Sequence, residues 1–279
     1  MEYCNYNGKM IDADTGFISA SNRGFRYGDG LFETLKSRGN HLFFAADHFE
    51  RLVKGLKILQ FNIPAHFTLA KFEEEIFKLL KKNDHQNMAR VRVTFFRGDG
   101  GLYDETDNTP GYLVQSWALP DNAGQWNSNG LVLGIYNDVK KSCDMLSNIK
   151  HNNFLPYVMA AMQAKKEKWN DAVILNTHGR LCDTTIANIF LIKDEIIYTP
   201  ALAEGCIAGI MRKNIMQQLS VNNIQVTECK ITVNELMDAD EMFLTNSIYN
   251  MRWVQSLAGK KYSNSFAQKI YSLLQPTIV

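Results

Sequence analysis

The sequence predicts an α/β protein, arranged as two domains or as one large unit, and three observations lead there. At 279 residues the chain exceeds the usual length of a single domain and can bury a sizeable core. Apolar residues recur with the helical period in some stretches and with the period of two of strands in others, and in the second half the two patterns alternate. A polar stretch, Pro120 to Gly130, is rich in asparagine and glycine and reads as a linker between residues 1–119 and 131–279.

Hydrophobic residues make up 46% of the chain and charged residues 21%, an ordinary globular balance that leaves no room for a long disordered tail. The net charge of +1 gives no electrostatic reason to expect nucleic acid or an acidic membrane as a partner. No basic-then-apolar segment opens the chain and no apolar run is long enough to cross a bilayer, so a cytoplasmic location is expected. The cysteines, Cys4, Cys143, Cys182, Cys206 and Cys229, are odd in number, scattered and without a Cys-x-x-Cys pair. They predict free thiols, with no disulfide framework and no metal site.

Asn7-Gly8 between two short segments signals a hairpin. Gly28, Gly30 and their neighbours look superficially like a phosphate-binding loop. Glu33 stands where a dinucleotide fingerprint needs its third glycine, however, and a strand pattern follows, which excludes that reading. Asp47 with Glu50 three residues later predicts a capped helix start, and Phe49, Leu52, Val53, Leu56 and Leu59 form its apolar stripe. Arg51 lies off that stripe, either as a solvated side chain or as an anion ligand at the edge of the core. Thr68 opens a second helix with the stripe Phe72, Ile76, Leu79 and Leu80.

From Ala89 to Phe96 the period is two, which puts Arg90, Arg92, Thr94 and Phe96 on one strand face. Two arginines there fit either an exposed sheet face or recognition of a carboxylate by a planar guanidinium. A strand near Tyr112 to Trp117 precedes the linker.

In the second half, an apolar strand pattern from Leu131 leads toward Lys150, and a helix pattern opens just after it, with Pro156 fit for the first turn. A lysine at such an entry is most commonly solvated. Partly desolvated, its amine loses protons more readily and can serve as a nucleophile toward a carbonyl or as a proton shuttle. Strands then run from Ala172 to Asn176, through Leu181 to Ile192, and from Ile196 to Thr199. Gly205 to Arg212 starts a helix whose small residues leave backbone N–H groups accessible to an anion. Thr232 with Glu235 forms a capping box, and Asp240 to Ile248 reads as a strand ending in polar groups.

Taken in order, Tyr27 to Glu33, His48 to Leu52, the Lys150 segment, Asp183 to Phe190, Gly209 to Arg212 and Thr245 to Ser247 resemble the landmarks of the class IV aminotransferases, the fold-type IV enzymes that use pyridoxal 5'-phosphate. The resemblance covers most of the chain. It implies a smaller N-terminal α/β sandwich, a larger C-terminal strand pseudobarrel with helices, the cofactor between them, and a homodimer whose neighbouring loop closes the substrate pocket. Small amino and oxo acids are the implied partners, with no nucleic acid and no membrane.

By the same resemblance, Lys150 forms the internal aldimine and moves the proton between substrate carbon and cofactor C4′. Arg51, Gly209, Ile210, Met211 and Ser247 hold the phosphate. Asp183 takes the place of the acidic partner to the pyridine nitrogen, where the family usually has glutamate, one methylene longer. Asn188 shapes its strand rather than touching substrate. Phe32, Arg92 and Ile248 fall to the substrate, with Arg92 matching an arginine that serves the substrate carboxylate in branched-chain enzymes.

Within the family, Gly100-Gly101-Leu102-Tyr103 lacks the arginine that aminodeoxychorismate lyases carry after the Arg-Gly of that loop. Lys150-His151-x-Asn153 and Gly209 to Arg212 look like the lyase branch, while Phe154 replaces an arginine seen there. A transaminase, branched-chain substrates among the candidates, is the favoured expectation. A lyase releasing 4-aminobenzoate and pyruvate is the alternative, and a cofactor-binding protein without turnover is the third reading.

Overall fold

The computed structural model describes residues 2–104 and 107–278. They fall into two compact units, Met1–Ala123 with Ile149–Asn153, and Gly124–Asn148 with Phe154–Val279. The linear division at residues 120–130 therefore does not describe the packing around Lys150, because five residues of the second half group with the first unit.

The first unit contains β1 (Tyr3–Tyr6), β2 (Lys9–Asp12), α1 (Arg23–Tyr27), β3 (Gly30–Arg38), β4 (His41–Leu42), α2 (Ala45–Ile58), α3 (Leu69–Lys82), β5 (Met88–Phe96) and β6 (Gly111–Ala118). Its strands form one antiparallel sheet in the order β2-β1-β6-β5-β3-β4. Asn7 and Gly8 turn the first hairpin with φ of 50° and 86°, the left-handed pair that such a two-residue turn requires. Leu31, Leu35, Val91, Val93 and Phe95 from the sheet pack against Leu52 and Leu56 of α2 and Phe72, Ile76 and Leu79 of α3.

Thr68 caps α3 through its side chain as the sequence indicates. Asp47 and Glu50 do not form the cap of α2. The chain turns out of β4 through Phe44 at φ 55° directly into a helix that begins at Ala45, so Asp47 lies within the first turn, where its charge favours the helix dipole.

The second unit contains β7 (Leu131–Lys141), α4 (Leu155–Lys166), β8 (Asp171–Asn176), β9 (Leu181–Thr184), β10 (Asn188–Lys193), β11 (Ile196–Pro200), α5 (Ile210–Val221), β12 (Val226–Cys229), α6 (Val233–Asp238), β13 (Glu241–Asn246), β14 (Asn250–Leu257), β15 (Lys260–Lys261) and α7 (Ser265–Ile278). Its sheet has the order β12-β11-β10-β13-β14-β7-β8-β9, with β15 on β14. The tight turn in which Thr184 N–H donates to the Ala187 carbonyl brings β9 back beside β10, and the sheet curls into a pseudobarrel. Strand β7 runs beyond the apolar pattern that announces it, and after an irregularity it sets Lys141 opposite Asn176 of β8.

Among the described residues no helix is long and apolar enough to cross a membrane, and no cluster of metal-ligating side chains occurs. All five cysteines are free thiols.

The segment around Lys150 joins the first unit by main-chain pairing. Phe32 N–H donates to the Lys150 carbonyl at 2.9 Å, Asn152 N–H donates to the Gly30 carbonyl at 2.9 Å, and Leu31 bridges His151. Gly30 is crowded by both neighbours, since a Cβ there would lie 2.0 Å from the Phe95 carbonyl oxygen of β5 and 2.6 Å from Asn152 Nδ2. The obstructing atom is backbone and cannot swing away. Gly30→Ala is expected to destabilise the protein by about 3 kcal/mol or more, read from urea unfolding, with Lys150 released to chemical modification. A stability unchanged from wild type would contradict the packing described.

Candidate active site

Strand alternation gives β3 two chemically different faces. Leu31, Glu33 and Leu35 point into the core, and Glu33 is 1% exposed. A carboxylate at that depth requires partners, and α2 supplies them one turn apart. Arg51 grips Glu33 with two hydrogen bonds, Nε to Oε1 at 2.8 Å and Nη2 to Oε2 at 2.6 Å. His48 Nδ1 lies 2.7 Å from Oε2. Burial pushes the Glu33 carboxyl up, yet Arg51 and His48 outweigh it and hold it at about 2. Burial lowers His48, so a neutral imidazole donates its Nδ1 hydrogen to the carboxylate. The planar guanidinium of Arg51 is thereby fixed in orientation.

The opposite face of β3 carries Phe32, Thr34 and Lys36, which lie across from Thr94, Arg92 and Arg90 of β5. Here the cations rest on aromatic rings. The Arg92 guanidinium lies 3.6 Å from the Phe32 ring centre, and the Lys150 amine lies 4.6 Å from the same ring. Arg92 also donates from Nε to Thr94 Oγ1 at 3.1 Å. Lys36 sits over Phe43 and Arg90 over Trp117. Burial, with Arg90 beside it, lowers Arg92 to about 10, and burial with Arg38 lowers Lys36 to about 8. Such a face suits an anion.

In the second unit, Asp183 on β9 is buried, and its Oδ2 accepts three hydrogen bonds. They come from the Ile207 N–H at 3.0 Å, the Tyr157 hydroxyl at 2.9 Å and Lys141 Nζ at 3.2 Å. Its Oδ1 is buried with no hydrogen-bond partner among the described residues. Burial pulls Lys141 down, but Asp183 outweighs it and raises it overall.

The mouth of α5 is a second polar feature of this unit. Gly209 occupies the cap position without any side-chain cap, so the first N–H groups of a twelve-residue helix have no intrahelical acceptor. A Cβ on Gly209 would lie 1.9 Å from Asn188 Oδ1, and Asn188 itself donates to the Ile207 carbonyl at 2.8 Å. Asn188 pairs with Thr245 of β13, whose buried hydroxyl has no partner. Ser247 stands half-buried in the following turn, and Ile248 is buried beside it.

The structure thus brings Phe32, Arg92 and Lys150 together on one sheet face, with Arg51 behind that strand. It sets Gly209, Ile210 and Met211 at the start of α5 near Asn188, and Asp183 beside the residue before that mouth. Glu33, His48, Lys141, Tyr157 and Thr245 were not assigned roles from the sequence. A carboxylate at an apolar-face position of β3 was a readable signal for Glu33. Lys141 follows the polar run Asn137-Asp138 and gave none.

An uncapped helix mouth suits a phosphate, a buried carboxylate with one unpartnered oxygen suits a protonated ring nitrogen, and a half-buried amine suits an aldehyde. The family model for amino-transferase class IV matches residues 30–257. The chain belongs to the class IV aminotransferases. It is a pyridoxal-phosphate-dependent enzyme, and the donor groups just described fit that cofactor.

An aminodeoxychorismate lyase of Vibrio harveyi is 28% identical over 89% of this chain and 90% of its own length. A putative branched-chain-amino-acid aminotransferase of Methanocaldococcus jannaschii is 26% identical over 96% of this chain and 92% of its own. Among solved structures, the branched-chain aminotransferase of the thermophilic archaeon Thermoproteus uzoniensis with norvaline superimposes with a TM-score of 0.86 at 20% identity, covering 98% of this chain and 93% of that one. This last likeness speaks for the fold alone.

The Glu33 site of this class IV enzyme has a defined pH signature. Its folded pKa, about 2, lies below the ordinary 4.5, so the carboxylate contributes stability above pH 4.5 that is lost as pH falls toward 2. Unfolding measured across that window should show a loss on the order of 3 kcal/mol that Glu33→Gln largely abolishes. An identical pH slope in both proteins would refute the assignment.

Proposed function

We propose that this class IV enzyme is a transaminase that moves an amino group between an amino acid and a 2-oxo acid, with branched-chain amino acids among the candidate donors. One observation carries the reading. Arg92 and the Lys150 amine share the Phe32 ring, so a substrate carboxylate held by Arg92 brings its neighbouring carbon toward a side chain suited to move a proton.

Bound pyridoxal phosphate supplies the aldehyde and the electron-withdrawing ring. Lys150 would hold that aldehyde, and its amine would take up the proton from the substrate α-carbon. Arg51, the N–H groups of Gly209, Ile210 and Met211, and the Ser247 hydroxyl hold the phosphate. Asp183 serves the ring nitrogen, and Phe32 and Ile248 give the substrate apolar surface.

A homodimer is part of the proposal. Leu155, Val158, Met159 and Met162 line one exposed face of α4 at helical spacing, an apolar stripe that a second copy would cover.

The lyase-named relative and the Lys150-His151-x-Asn153 segment support a second reading, aminodeoxychorismate lyase. A single-turnover screen of L- and D-amino acids separates the two. The transaminase reading expects at least one donor to yield the pyridoxamine form and an oxo acid to reverse it. No response to any donor, with aminodeoxychorismate giving pyruvate and 4-aminobenzoate, would establish the lyase instead. A bound cofactor with neither reaction would leave a binding protein.

Borohydride should fix the cofactor on the peptide containing Lys150, and Lys150→Ala should lower turnover by about 10⁴-fold. Label on another lysine would remove Lys150 from this role. Arg51→Ala should chiefly weaken cofactor retention, whereas Arg92→Ala should raise KM by about tenfold or more with cofactor retained. Equal cofactor loss from both would collapse the division of labour. Met162→Asp should yield monomers in sedimentation if α4 forms the dimer contact, and an unchanged mass would place the contact elsewhere.

A further inference from the structure

Resting on the assignment of Asp183 to the ring nitrogen, we infer that Lys141 and Tyr157 are positioning residues that fix one oxygen of Asp183 and leave the other, Oδ1, as the acceptor for the protonated ring nitrogen. The geometry of the second unit carries this. A carboxylate has about four acceptor sites spread over two oxygens. In Asp183 three donors converge on Oδ2, from β7, from α4 and from the segment before α5, while Oδ1 is buried with no hydrogen-bond partner among the described residues.

Each donor is anchored independently. Lys141 ends β7 at its pairing with Asn176, Tyr157 lies in the first turn of α4, and Ile207 precedes the α5 mouth. The Tyr157 hydroxyl also touches Lys141 Nζ directly. Asp183, Lys141 and Tyr157 are 2%, 7% and 5% exposed, so water does not compete for these bonds.

The shorter side chain fits this clamp. Aspartate has one fewer rotatable bond than glutamate, and three donors on one oxygen hold the two torsions that remain. Lys141 brings a positive charge to within 3.2 Å of the buried carboxylate. The clamp therefore sets the aim of Oδ1.

The test compares two probes on the apoenzyme of the full chain: pyridoxal phosphate, and 1-deazapyridoxal phosphate, in which a C–H replaces the ring nitrogen. Affinities come from tryptophan fluorescence, so no turnover is needed. Wild type should prefer the natural cofactor by about tenfold or more, the scale of a charge-assisted hydrogen bond. Asp183→Asn should abolish that preference; if it does not, the ring-nitrogen assignment itself fails.

Given that control, Lys141→Met should reduce the preference to within about threefold of unity, with the deaza analogue bound nearly as in wild type. Tyr157→Phe, which removes a single hydroxyl and carries the test should Lys141→Met fail to fold, should lower the preference about threefold. A loss of affinity equal for both probes shows a merely structural role and overturns the inference, as does a preference unchanged in Lys141→Met or, where that variant does not fold, in Tyr157→Phe.

Discussion

Main-chain pairing between residues 150–152 and the start of β3 is the constraint on which the first half of the site depends. A strand edge offers unpaired N–H and C=O groups, and here the covering segment comes from the second half of the sequence. Two backbone hydrogen bonds fix the Cα of Lys150 relative to Phe32, and Gly30 is crowded by both neighbours. A lysine on a free loop would need to be ordered before it could act, whereas this one is set by the sheet.

The period of two then sorts charge across β3. On the core side a single carboxylate, Glu33, is neutralised by Arg51 and hydrogen-bonded by His48. On the other side Lys36, Arg90, Arg92 and Lys150 rest on aromatic faces, which support a cation without cancelling its charge for an incoming anion. One strand therefore orients an arginine on one side and presents a carboxylate-seeking surface on the other.

The second unit solves a different problem, that of keeping a charge in its interior. Asp183 is surrounded by donors on one oxygen, and burial raises the thiols of Cys182 and Cys206, the latter to about 12, so no competing anion forms beside it. The same turn that curls β9 back toward β10 places Asn188 against Gly209, where a side chain on the glycine would collide. Fold closure and the uncapped mouth of α5 are thus parts of one arrangement.

Local pattern in the sequence determined the Asn7-Gly8 hairpin, the Thr68 cap, the strand faces of β5 and the capping box at Thr232, because each depends on residues within a few positions of one another. The family landmarks identified Lys150, Arg51, Asp183 and the glycine mouth as positions of interest. Tertiary structure alone decided that residues 149–153 pack with the first unit, that α2 starts at Ala45 without a side-chain cap, and that Lys141 and Tyr157 converge on Asp183. The first and last of those outcomes join residues 16 to 122 positions apart, and the spacing of side chains along a chain carries no information about which distant donors a buried carboxylate will meet.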